Sequence, residues 1–227
     1  MADVIPFKAI RPKKEYAEKT ASLPYDVFSR KEAKEAVPGR PLSFLNIDRP
    51  ETQFPDGYDM YADEVYKKGR EMLWEQIAEG IYEEDEKPCY YIYELTAGGR
   101  TQTGIAALSS VDDYINGIVK KHENTRPEKE QDRIRHIDVL DAQTGPIFLA
   151  YRDNAVLSEI ISAYKEKEPE YDFVYETGIR NRVFVIDDDK DIAAVKDAFA
   201  GIERTYIADG HHRAASAVKV ALKRRAE

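Results

Sequence analysis

The stretch from Cys89 to Leu108 constrains the fold of this chain more than any other. Residues 89–95 (CYYIYEL) are apolar and aromatic, Gly98-Gly99 follows, and residues 101–108 return. An apolar run, a pair of glycines and a second run form a β-hairpin signal, because tight hairpin turns place their central residues at positive φ. That commits the middle of the chain to antiparallel pairing. A second hairpin is predicted from residues 173–176 and 182–186, which flank Gly178.

Helical patterns surround these hairpins. Ser29 and Glu32 make a capping box, so a short helix is predicted over 31–37, before Pro38-Gly39. The longest periodic segment is 58–79. Tyr61, Val65, Met72, Leu73 and Ile77 share one face there, and Gly80 stands where a C-terminal cap belongs. Another helix should begin at Pro127, since proline suits the first helical position. Further helices are predicted over 154–165 (Val156, Ile160, Ile161 and Tyr164 inward), 192–199 and 214–225. Short strands are predicted over 42–47, 147–151 and 205–208. The pattern is an α+β fold: mixed or antiparallel sheets with hairpins packed by helices. No repeat and no Pro/Gly/Ser-rich linker interrupts the chain, so residues 1–227 are expected to form a single compact region.

Composition narrows the function classes. A single cysteine excludes an internal disulfide framework or a cysteine-rich zinc module, and Cys89 reads as a core residue. The formal charge of −9 argues against general nucleic-acid binding, which draws on excess Lys and Arg. No apolar run approaches the roughly 20 residues of a membrane span, and the N-terminus lacks a signal-peptide pattern, so a cytoplasmic location with no membrane partner is expected. Neither common glycine-rich nucleotide loop is present.

The four histidines fall in two places, HENTRPEKEQDRIRH (122–136) and ADGHHR (208–213). In the second, a short strand runs into Asp209-Gly210 and a helix begins. Gly210 permits a tight turn and close ligand approach. His211, His212 and Arg213 then lie beside the free N–H groups of the first turn, where helix dipole and side chains together favour an anion. Cations are unfavourable at a helix N-terminus without a compensating anion, which points to a ligand. The plainer alternative is a helix capped by Asp209 with surface histidines. In the first place, His122, Glu123 and Arg126 precede the helix. Glu123 can serve as a general base and Arg126 as a charge clamp, and the alternative is a solvated helix start. A metal ion held by His122, His211, His212 and Asp209 is a further option, of the zinc or manganese type.

HENTRPEKEQDR followed by YIADGHHR resembles a prokaryotic family catalogued as domain of unknown function 1015. The segment Leu23-Pro24-Tyr25-Asp26-Val27, Trp74, and Tyr91-Ile92-Tyr93-Glu94 resemble it too. Members of that family are usually longer, which implies that a segment after the DGHHR helix is missing here. The strand–DGHHR–helix unit is also similar to the phosphate-binding motif of the ParB/sulfiredoxin-like fold. That similarity implies that Asp209, Gly210, His211, His212 and Arg213 bind phosphate, and Arg126 joins them by its local chemistry as a charge clamp. It also implies ATP or ADP with magnesium as cofactor and a kinase-like phosphoryl transfer; the acidic base of that fold has no matching position here, and Glu123, with His122 and Asp209, is the catalytic candidate by local chemistry. The partner expected is a small-molecule anion or nucleotide, and the competing reading is a non-catalytic nucleotide- or phosphometabolite-binding module.

Overall fold

The structure, a computed structural model, describes residues Met1–Glu227. The chain runs β1 (Val4–Ile5), β2 (Ile10–Pro12), α1 (Ala17–Thr20), α2 (Arg30–Ala36), α3 (Leu45–Asp48), α4 (Asp63–Ala78), β3 (Tyr82–Glu84), β4 (Tyr90–Ala97) and β5 (Arg100–Ala106). It continues through β6 (Leu108–Ser109), α5 (Val111–Ile115), β7 (Val119–Lys120), α6 (Pro127–Leu140), β8 (Phe148–Ala150), α7 (Ala155–Lys165), β9 (Tyr171–Val174), β10 (Arg180–Ile186), α8 (Asp189–Ala200), β11 (Thr205–Asp209) and α9 (His211–Ala226). It is a mixed α+β fold with small sheets. No helix is long and apolar enough to cross a membrane. The chain divides into two compact units, each built from three separate stretches. Unit 1 holds Met1–Glu18, Glu83–Lys120 and Leu149–Ile207, and unit 2 holds Lys19–Tyr82, Lys121–Phe148 and Ala208–Glu227.

Unit 1 centres on an antiparallel sheet in the order β5–β4–β10–β9. Both predicted hairpins are there: Ala97 pairs with Arg100 around Gly98-Gly99, and Val174 pairs with Arg180 around Gly178. Alternation places Tyr90 and Ile92 of β4 with Phe184 and Ile186 of β10 on the core face. Leu157 and Tyr164 of α7, with Val195 and Phe199 of α8, cover that face. Each such side chain contributes about 1.5–3 kcal/mol by leaving water. Val156 points outward instead, at 46% exposure. The Asn154 side chain caps α7 by accepting from the Val156 and Leu157 N–H groups, and this rotation hands the first inward position to Leu157.

One buried charge stands in this sheet. The Glu94 side chain is 2% exposed, accepts from Arg182 Nε at 2.8 Å and Thr103 Oγ1 at 3.2 Å, and pairs with Lys165. Burial disfavours its charge, but Lys165 and Arg182 outweigh that and hold the carboxyl below its usual range. Glu94→Gln keeps the shape and removes the charge. It is expected to cost unit 1 about 2 kcal/mol, the scale of a charge-assisted hydrogen bond, measured as a lower urea midpoint. A midpoint within error of the wild type would show that the cations hydrate at no cost.

Unit 2 is helical, with α6 packed against both α9 and α4. Ile47, Leu73 and Leu140 form its small apolar core. The capping box is formed at α2, where Ser29 and Glu32 exchange side chain-to-backbone hydrogen bonds. The C-terminus of α4 closes as the sequence predicts: Gly80 adopts φ 73°, its N–H bonds Ile77 O, and Ile81 N–H bonds Gln76 O. Two predictions are corrected. The strand over 42–47 is instead a turn leading into α3, because the Asn46 amide donates to Arg40 O at 2.9 Å and Ser43 O at 3.0 Å and curls the backbone. The helix predicted from residue 58 begins at Asp63, because the Asp59 carboxylate captures the Tyr61 N–H at 2.9 Å in a preceding turn.

Candidate functional site

The loop before α6 and the first turn of α9 meet within unit 2. Glu130, buried in α6, fastens both. Its carboxylate accepts from Thr125 Oγ1 in the loop and from Lys219 Nζ in α9, while its backbone carbonyl accepts from Ser216 Oγ at 3.1 Å. The loop backbone then donates to the histidines of α9. Arg126 N–H reaches His212 Nε2 at 3.0 Å, and His122 N–H approaches His211 Nε2 at 3.4 Å. Both Nε2 atoms therefore act as acceptors, which assigns the ring protons to Nδ1.

His122, Glu123 and His211 form a tight group. The two imidazoles meet edge to face with centroids 4.4 Å apart. His211 Nδ1 lies 3.7 Å from Glu123 Oε2, and His122 Nε2 lies 3.9 Å from Glu123 Oε1. His122 and Glu123 are exposed, whereas His211 is buried. Burial, then the neighbouring His122, lowers the pKa of His211 below the ordinary imidazole value and keeps it neutral.

Beside this group, Gly210 precedes α9 with φ 91° and supplies no side-chain cap. The Arg213 guanidinium folds over it: a Cβ on residue 210 would stand 3.2 Å from Arg213 Cζ. Arg213 Nη2 lies 2.5 Å from Asp209 Oδ2, Nη1 donates to Pro146 O, and Asp26 Oδ2 is 3.8 Å away. Asp209 thus partners Arg213 and does not cap the helix. The first turn carries no acidic residue. Arg126 is exposed, and its guanidinium has no partner.

A buried polar cluster backs this surface. Arg133 lies 4.2 Å over the Tyr25 ring and pairs with Asp132 at 2.9 Å. Asp132 also accepts from Tyr66 Oη at 2.7 Å. Asp48 is buried and accepts from Thr144 Oγ1 at 2.7 Å; burial pushes its carboxyl up to about 6, against the opposing pull of Thr144, Arg133 and Arg213. His136 lies apart from the other histidines, with Nε2 3.2 Å from Ile47 O. Burial, then Arg133, pushes its pKa down to about 3. A cavity of about 60 Å³ opens here, lined by Tyr25, Arg49, Glu51, Tyr66, Asp132 and His136.

The structure therefore gathers His122, Glu123 and His211, sets His212 on the Arg126 backbone, and leaves His136 in the interior. Of the four residues considered for an ion, His212 and Asp209 are engaged elsewhere, and Glu123 takes their place. Asp26, Glu130 and Arg133 carry roles that the sequence did not reveal. Asp26 stood in a quoted segment with no function attached, and Glu130 and Arg133 stood in a stretch with the composition of a solvated helix start. Magnesium carried by nucleotide phosphates needs only one or two protein carboxylates. Asp26, which is exposed, fits that role, whereas the two imidazoles suit softer ions.

The profile of the family described as "Protein of unknown function (DUF1015)" matches residues 4–227. No curated protein and no solved structure matches the chain. Because the match takes in the Tyr25-Asp26 turn, the loop before α6 and the start of α9, and nearly everything between, the chain belongs to the DUF1015 family.

Proposed function

We propose that unit 2 binds the phosphate groups of a nucleotide or phosphorylated small molecule at the start of α9, and that it transfers a phosphoryl group in a kinase-like reaction. The observation that carries this reading is the uncapped start of a 16-residue helix, free of acidic residues in its first turn and flanked by His211, His212, Arg213 and the unpartnered Arg126. The free N–H groups of the first turn, with the positive charge of Arg126 and Arg213 nearby, stabilise an anion there. The strand–Asp-Gly–helix unit at 205–213 also resembles the ParB/sulfiredoxin-like phosphate motif, which supports the same chemistry by analogy.

In this reading the α9 N–H groups and Arg126 hold phosphate oxygens. Arg213, kept over Gly210 by Asp209 and Pro146, presents positive charge without a search for its rotamer. Glu123 is the candidate to accept the proton of an attacking hydroxyl, and His122 and His211 orient it. A nucleotide with magnesium would supply the phosphoryl group and neutralise its charge. The rest of the chemistry is positioning.

A second reading is a non-catalytic phosphate sensor. It is favoured by Arg213 already having Asp209 as partner, since an arriving anion would compete for that guanidinium and release the carboxylate. The two readings separate on turnover: a sensor binds ATP and releases no ADP.

Thermal unfolding with ATP, ADP, pyrophosphate and phosphate, each with and without magnesium, tests the site. A probe at 100 times its Kd adds about 2.7 kcal/mol, roughly 5–10 °C for a chain of this size. Arg126→Ala is expected to weaken the responding probe about tenfold, the loss of one charge-assisted contact. Absence of any shift across all four probes removes the phosphate reading.

A further inference from the structure

We infer that His122, Glu123 and His211 form a binding site for a divalent transition-metal ion of the zinc or manganese class. Their ligand atoms all lie within 4.8 Å of one another. Tetrahedral ligands on bonds of about 2.1 Å stand about 3.4 Å apart. The gaps to Glu123 are 3.7 Å to Oε2 and 3.9 Å to Oε1, so the three side chains must draw together by up to about 1.4 Å to share one ion. Two of the three side chains are exposed and free to close that difference, while His211 is held by burial. Two imidazoles and one carboxylate are the donor set of open, three-ligand metal sites, which leave the fourth position to water or substrate.

The loop geometry is fixed independently of the ion. Glu130 ties Thr125 to Lys219, and His212 receives the Arg126 N–H, so His122 and Glu123 are already carried to His211. Metal on His211 Nδ1 moves the imidazole proton to Nε2 and ends the 3.4 Å approach from His122 N–H, a weak contact at that length. One carboxylate leaves the bound ion with net positive charge and an open position facing solvent. Such a centre attracts an anion, and in that role alone it rests on the phosphate reading above.

The test uses the full chain, stripped with chelator and held in phosphate-free buffer, titrated calorimetrically with zinc, manganese and magnesium chlorides. One saturable site is expected, tighter for zinc or manganese than for magnesium. His122→Ala and Glu123→Gln, both at exposed positions, are each expected to weaken it at least about tenfold. Imidazole NMR signals of His122 and His211 should move on zinc addition while that of His136 stays. The inference is overturned by no saturable zinc or manganese binding, or by binding that both exposed variants leave unchanged. Arg126→Ala, which removes a cation and no ligand atom, should leave metal binding in place. Ion binding without any phosphate response would remove only the phosphate reading, and a phosphate response in stripped protein that takes up no ion would remove only this one.

Discussion

His136→Gln is expected to gain about 3 kcal/mol of unit 2 stability relative to the wild type as pH falls from 7 to 4. His136 titrates near 3 when folded, against about 6.5 when unfolded. The folded state thus binds fewer protons than the unfolded state across that window. Its contribution is complete above about pH 6.5 and is lost as pH falls toward 3. Asp48 has the opposite sign. Its folded pKa is raised to about 6, so the folded state holds the extra proton, and its contribution grows as pH falls from about 6 to 4. Asp48→Asn should therefore cost about 2 kcal/mol more at pH 4 than at pH 7. In the wild type the Asp48 gain offsets much of the His136 loss, and each variant exposes one of these two slopes. Trp74 is the only tryptophan and lies on α4, with Nε1 3.0 Å from Leu140 O, so its fluorescence reports unit 2. Urea unfolding at four pH values supplies the curves. Wild type and both variants running parallel from pH 7 to 4 would falsify the assignment.

Arg133→Met is expected to destabilise unit 2 by about 3–5 kcal/mol, the cost of removing one partner from a buried ion pair. The Arg133 side chain is 10% exposed, is bonded twice to Asp132 and lies over the Tyr25 ring. Removing it leaves the half-buried Asp132 carboxylate with only Tyr66 as partner. It also strips the cover from the Tyr25–Val27 turn, which places Asp26 beside Arg213. Arg133→Lys restores charge without the planar fork or the stacked face, so it should recover only part of the loss. Trp74 fluorescence again gives the measurement. A loss below about 1 kcal/mol for the methionine variant would place the cluster in the class of surface pairs and end its role as a support for the site.

Local rules carried much of the fold. The Gly98-Gly99 hairpin, the Ser29 box, the Pro127 start and the Gly80 cap each depend on a few neighbouring residues, and each lies where the sequence puts it. The misses have a common cause. Asn46 and Asp59 redirected their own backbone through side-chain hydrogen bonds, and neither bond follows from apolar periodicity. The approach of His122 to His211, eighty-nine residues apart, was suggested only by the shared rarity of histidine. The inner cluster was not legible. Arg133, Glu130 and His136 lie on a helix whose composition reads as solvated, and only the packing of α4 and α9 against it makes them interior. Burial of a charge is a tertiary fact, and a single sequence carries little trace of it.

The interleaving of the two units sets a schedule for synthesis. The Glu130 contacts to Ser216 and Lys219 span 86 and 89 residues. At about 5–20 residues per second, α6 leaves the ribosome roughly 4–18 s before the segment that covers it. For that interval a helix carrying Glu130, Arg133 and His136 waits without α9, its inward carboxylate and guanidinium still in water. A nascent chain arrested just before residue 208 would therefore hold unit 2 open. Neither unit is a contiguous fragment that could be cut out and studied alone.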